Sequence, residues 1–126
     1  GVTKPMATIE PVCSAQDIIA LQEMVKQVYC SPEVRMYVAS LVAATRQEPA
    51  LALGASTRAA IALIHGAQAC ALLAGRDYII PEDVQHMAIP VLSHRLVLSP
   101  ESRMKGVTAQ SVVMKVLKST PVPVKL

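Results

Sequence analysis

One stretch constrains this chain more than any other: Leu53-Gly54-Ala55-Ser56-Thr57-Arg58-Ala59-Ala60. A glycine loop leads into Ser56 and Thr57, either of which suits a helix N-cap, and residues 59–75 are mostly apolar. This run predicts a helix over residues 57–74, with Ala60, Ile61, Leu63, Ile64, Ala67, Ala71 and Leu72 covering most of its surface and Gly75 ending it. A helix apolar on most sides belongs at the centre of a bundle, and its small side chains let neighbours come close. His65, Gln68 and the short length argue against a membrane span. Arg58 is the misfit: a cation in a first helical turn faces the positive end of the helix dipole. An anion is the simplest compensation, because N–H groups at a helix start attract phosphate and a guanidinium matches phosphate oxygens in pairs. The plain alternative is a surface arginine paired with an acid or lying along its helix.

The rest of the chain supplies partners for such a helix. Ser14-Ala15-Gln16-Asp17 has the form of a capping box, and Ile18, Leu21, Val25 and Val28 follow at helical spacing, predicting a helix over residues 15–28. Ser31-Pro32-Glu33 starts a second, with Val34, Tyr37, Val38, Leu41 and Val42 inward, ending at residues 46–48 before Pro49. Tyr78-Ile79-Ile80 is β-prone. Pro81-Glu82-Asp83 opens a fourth helix, in which Pro90 predicts a kink or a second short helix. Residues 95–98 are again β-prone and predict a pairing with residues 78–80. Ser99-Pro100-Glu101 is another start, cut short by Gly106, and Thr108 caps a last helix over residues 109–118. Pro121 and Pro123 make the tail extended.

The fold class is therefore all-α, a helical bundle of about five helices with a short two-stranded β pairing. Its 126 residues suit one domain, and the absence of Phe and Trp leaves the core to Ala, Leu, Val, Ile and Met. The net charge of +3 includes no basic cluster, which does not suggest nucleic-acid binding. The three cysteines are far apart and odd in number, so they suggest neither a disulfide framework nor a zinc site. No signal peptide opens the chain, and it reads as cytoplasmic, with no nucleic-acid or membrane partner. Gly1 in place of Met reads as the start of a piece cut from a longer protein.

Catalytic motifs are few. No GxxxxGK loop ending in Ser or Thr cradles a phosphate, and His65, His86 and His94 lack metal-ligand spacing, so no metal site is expected. Glu82 and Asp83 suit a helix N-terminus, and Arg46 suits a helix C-terminus. Arg76, Asp77, His94 and Arg95 read as a polar seam between helices.

Three motifs in order resemble a known family. They are Gly54-Ala55-Ser56-Thr57-Arg58-Ala59, then Gly75-Arg76-Asp77-Tyr78-Ile79-Ile80-Pro81-Glu82-Asp83-Val84, then Val91-Leu92-Ser93-His94-Arg95-Leu96-Val97-Leu98-Ser99, with Thr45-Arg46 and Gly106-Val107-Thr108 outside them. Together they resemble the C-terminal lid of the MoxR-type AAA+ ATPases. The resemblance implies a small helical domain that closes over a nucleotide held by an upstream P-loop core. It maps the sensor-2 arginine, which contacts the terminal phosphates, onto Arg58, while Ser56 and Thr57 fall on the same nucleotide-binding motif and also suit capping. Thr57 stands where the family often has Pro.

The resemblance further implies ATP and Mg2+ as cofactors of the full-length ATPase, with none bound to this fragment, which lacks the P-loop. It implies partners in the protein's own upstream core, in neighbouring subunits of a homo-oligomeric ring (a hexameric chaperone) and in von Willebrand factor A domain proteins. In the wider clade, which includes magnesium chelatase, the lid is displaced, so Arg58 serves either its own subunit's nucleotide or a neighbour's. On this reading residues 1–12 are a linker or arm from the core, 13–120 the lid and 121–126 a tail. Two other readings stay open: a helical protein-interaction module without a nucleotide role, in which Arg58 pairs with an acid, and a DNA-binding helical domain.

Overall fold

The computed structural model describes residues 14–124, so the expected arm at 1–12 and the last two residues of the tail lie outside the described residues. Six helices and one small sheet follow in the order α1 (Ala15–Lys26), α2 (Pro32–Arg46), β1 (Leu51–Leu53), α3 (Thr57–Leu73), α4 (Pro81–Leu92), β2 (Val97–Leu98), α5 (Pro100–Met104) and α6 (Ala109–Ser119). A 3-10 turn, Ser93–Arg95, joins α4 to β2.

The helix starts follow local chemistry. Ser14 and Asp17 cap α1 reciprocally, the Asp17 N–H donating to Ser14 Oγ at 3.1 Å and the Ser14 N–H to Asp17 Oδ2 at 3.0 Å. Ser31 caps α2 and Ser99 caps α5, each followed by a proline at the first turn, where its missing N–H costs nothing. Thr108 and Ser111 share a capping box on α6. Gly75 ends α3 with φ +81°, a conformation that costs a Cβ-bearing residue about 1–2 kcal/mol.

Helix α3 is the hub, packed against α1, α2 and α4. Its contact face is built of Ala59, Leu63, Ala67 and Ala71, all fully buried, and Ala88 of α4 is buried likewise. Small side chains at these positions let the helix axes approach. Leu41, Val34 and Val38 of α2, Val84 and Leu92 of α4, and Val113 of α6 close the core around it. The helix is not apolar-buried all round, however: Ile61 is 51% and Leu73 89% exposed. Helix α1 departs further from expectation. None of its residues is buried, and Ile18, Ile19, Leu21 and Met24 lie exposed along it. Its repeat of apolar residues makes a helix, but among the described residues that face is largely uncovered.

One local expectation is corrected. Of the β-prone residues 95–98, only Val97 and Leu98 form a strand, and it pairs antiparallel with β1, in the register Leu51 to Leu98 and Leu53 to Val97, and not with 78–80. Tyr78 instead bridges Tyr29 in a parallel sense, with the Tyr29 N–H donating to Asp77 O at 2.8 Å and the Ile79 N–H to Tyr29 O at 2.9 Å. That segment is thus held by the turn after α1. Helix α4 continues through Pro90 to Leu92, and the short 3-10 helix follows it. Pro90 and His86, whose carbonyl lacks the i+4 donor, are both exposed, so the freed carbonyl belongs to the solvent-facing side of the helix.

No helix of the described residues is long and apolar enough to cross a membrane.

Candidate functional site

The site is built where α2 ends and α3 begins. Ser56 is the N-cap of α3, its Oγ accepting the Ala59 N–H at 3.4 Å. Thr57 and Arg58 are the first two residues of the helix, and all three side chains are exposed. Arg58 enters no ion pair among the described residues. Its charge therefore stands at the positive end of the helix dipole without a neutralising acid, and an anion placed there meets both the guanidinium and the helix start. Among the described residues no acid takes the place that the alternative reading gives to an Arg58 partner.

The loop before it is held from behind by α2. The buried Thr45 hydroxyl donates to Val42 O at 2.7 Å and accepts the Ala55 N–H at 2.9 Å, so its donor and one acceptor site are both used. Arg46 Nε donates to Ala55 O at 2.9 Å. Both polar groups of the Ala55 backbone are thus taken by consecutive residues at the end of α2, and Ala55 itself is 1% exposed. Gly54 passes so close that a Cβ there would stand 2.7 Å from Thr45 O and 2.8 Å from Arg46 Cα. Only glycine allows that approach.

Arg46, which the sequence assigned to the helix dipole, thus has a specific partner. Thr45 was not singled out as a site residue. The signal was available, because Val34, Val38, Leu41, Val42 and Thr45 share the buried face of α2, and a hydroxyl on such a face needs partners.

Of the expected polar seam only Arg76 enters an ion pair among the described residues, and its partner, Asp83, lies outside that seam. Arg76 holds Asp83 through two 2.7 Å hydrogen bonds, Nη1 to Oδ2 and Nη2 to Oδ1, and Asp83 Oδ2 also accepts the Ile80 N–H at 2.8 Å. Burial raises the Asp83 pKa, but the Arg76 guanidinium and the Ile80 N–H outweigh it and hold the carboxyl below its usual value. The Cys70 thiol, beside the pair, is pushed up by burial and by the Asp83 carboxylate. Asp77, His94 and Arg95 are exposed and form no ion pair among the described residues. The acids and histidines likewise form no metal-sized cluster among those residues. The pair joins the end of α3 to the start of α4, which suits structure and not chemistry.

Known proteins agree with this architecture. The AAA lid domain family matches residues 43–116. Over 121 residues the chain is 41% identical to the uncharacterized protein YeaC of Bacillus subtilis, covering 96% of this chain and 38% of that one. It is 35% identical over 132 residues to the chaperone MoxR1 of Mycobacterium tuberculosis, covering 98% of this chain and 34% of that protein. The crystal structure of a proposed ATPase from Cytophaga hutchinsonii superposes with a TM-score of 0.86 at 28% identity, covering 97% of this chain and 40% of that one. The chain therefore spans little more than a third of the length of these relatives. The matched family covers most of the folded helices, including the loop, the start of α3 and the Arg76–Asp83 pair, and on that match the chain belongs to the AAA lid domain family, as a lid of MoxR type.

Proposed function

We propose that this domain is the lid of a MoxR-like AAA+ ATPase, and that Arg58 is its sensor-2 residue. In the intact protein an upstream P-loop core binds ATP and Mg2+, and the lid brings Arg58 to the terminal phosphates. The chemistry asked of Arg58 is electrostatic. A guanidinium near the β- and γ-phosphate oxygens stabilises the negative charge of phosphoryl transfer to water and ties lid position to nucleotide state. Ser56 and Thr57 sit beside it, Ser56 as the cap that fixes the direction of α3. The intact protein acts as a ring-forming chaperone, with neighbouring subunits and von Willebrand factor A domain proteins as partners.

The observation that carries this reading is the exposed guanidinium in the first turn of α3, with no acid paired to it among the described residues. Charge reversal tests it. Arg58→Glu in the full-length protein places a carboxylate where the phosphates are to be met, and ATP turnover falls by at least about tenfold, or roughly 1.4 kcal/mol. Wild-type turnover in that variant would refute the role.

A further inference from the structure

We infer that Thr45 and Arg46 are positioning residues for Arg58, acting through the backbone of Ala55; the inference rests on the sensor-2 reading above. Arg58 is carried by a flexible side chain on an exposed turn, so its reach to a phosphate depends on where α3 starts and how it is aimed. That start is set one residue before the Ser56 cap. Thr45 Oγ1 accepts the Ala55 N–H at 2.9 Å, and Arg46 Nε donates to the Ala55 carbonyl at 2.9 Å. The two bonds take hold of Ala55 on both of its polar groups.

The anchor itself is buried and hydrogen-bonded. Thr45 is 1% exposed, and its hydroxyl hydrogen is committed to Val42 O, which leaves its lone pairs turned to the loop. Gly54 completes the arrangement, lying against the Thr45 carbonyl and the Arg46 backbone with no room for a side chain. Burial of Ala55 obliges both of its backbone groups to find partners, and here both partners are side chains at the end of α2. Together they couple the C-terminal end of α2 to the direction of α3, so a movement of α2 shifts Arg58 with it. Displacing a reacting or charge-stabilising group by about 1 Å can cost up to about 100-fold in rate, so loss of the anchor reaches the chemistry without touching it.

The test is a double-mutant cycle in the full-length protein, read as kcat and KM for ATP at a temperature where every variant is folded. Thr45→Val removes the hydroxyl at nearly constant volume. It is expected to lower kcat at least about fivefold, and Thr45→Ser, which keeps the hydroxyl, stays within about twofold of wild type. In an Arg58→Ala background Thr45→Val has no further effect on kcat, because both changes remove one function. Should Thr45→Val not fold, Arg46→Gln, on an exposed residue, enters the same cycle with the same expectation. Wild-type kcat in the variant, an equal loss in the Arg58→Ala background, or no rescue by serine would overturn the inference while the role of Arg58 stood. Wild-type turnover by Arg58→Ala alone would overturn both.

Discussion

The Arg76 guanidinium and the Asp83 carboxylate are joined by two parallel hydrogen bonds of 2.7 Å, across the turn between α3 and α4. Asp83 is 3% exposed and also anchors the first turn of α4 through the Ile80 N–H. Because folding holds this carboxyl below its usual pKa, the pair contributes stability that is fully present above the unfolded-state value. That stability is lost as pH falls through the folded one. Thermal melts should therefore be flat through neutral pH and fall below the ordinary carboxylate range. Asp83→Asn keeps an oxygen able to accept the Ile80 N–H but loses the charge and one of the two Arg76 bonds, so it should remove part of that acid dependence and lower the melting temperature at pH 7. An acid limb unchanged in the variant would show that the pair does not set it.

The contrast between α3 and α1 predicts unequal sensitivity to truncation. Leu63 is fully buried, whereas Ile18 is 50% exposed. Leu63→Ala should cost about 2–5 kcal/mol. Ile18→Ala should stay within about 0.5 kcal/mol in the domain as it stands. Urea unfolding of the two variants measures both. A large loss at Ile18 would mean that the apolar side of α1 is covered in solution.

Ser56 separates capping from ligand binding. Its Oγ accepts the Ala59 N–H at a long 3.4 Å, so Ser56→Ala should lower stability by only about 0.5 kcal/mol, the weak end of the capping range. ATP affinity of the full-length protein should stay unchanged if Ser56 is a cap alone. A rise in the dissociation constant with unchanged stability would make Ser56 a ligand in its own right.

The helix starts were legible in the sequence because their chemistry is local. Ser31-Pro32, Ser99-Pro100 and Thr108 each announce a start within a few residues of the bonds they make. The inward face of α2 was legible too, since its apolar repeat and its burial coincide. What was not legible depends on partners distant in the chain. The apolar residues of α1 predict a face but not what lies against it. Residues 78–80 are β-prone in sequence, yet Val97–Leu98 pairs with β1 while Tyr78 and Ile79 are engaged by Tyr29, partners that only the structure identifies. Pro90 in a run of helical residues predicts a kink or a second short helix; α4 runs through it to Leu92 and a short 3-10 helix, Ser93–Arg95, follows. At the site, Arg58 stood out by its charge at the wrong end of a helix. The hold of Thr45 and Arg46 on Ala55 needed the structure, because it joins residues about ten apart in the sequence through backbone atoms that carry no residue-type signal.

The measurement that bears most directly on the central claim is steady-state ATP hydrolysis by the full-length protein carrying Arg58→Ala. The sensor-2 assignment predicts a fall of at least about tenfold with the domain's thermal stability unchanged, since the side chain is exposed and makes no ion pair among the described residues. Hydrolysis at the wild-type rate in that variant would contradict it.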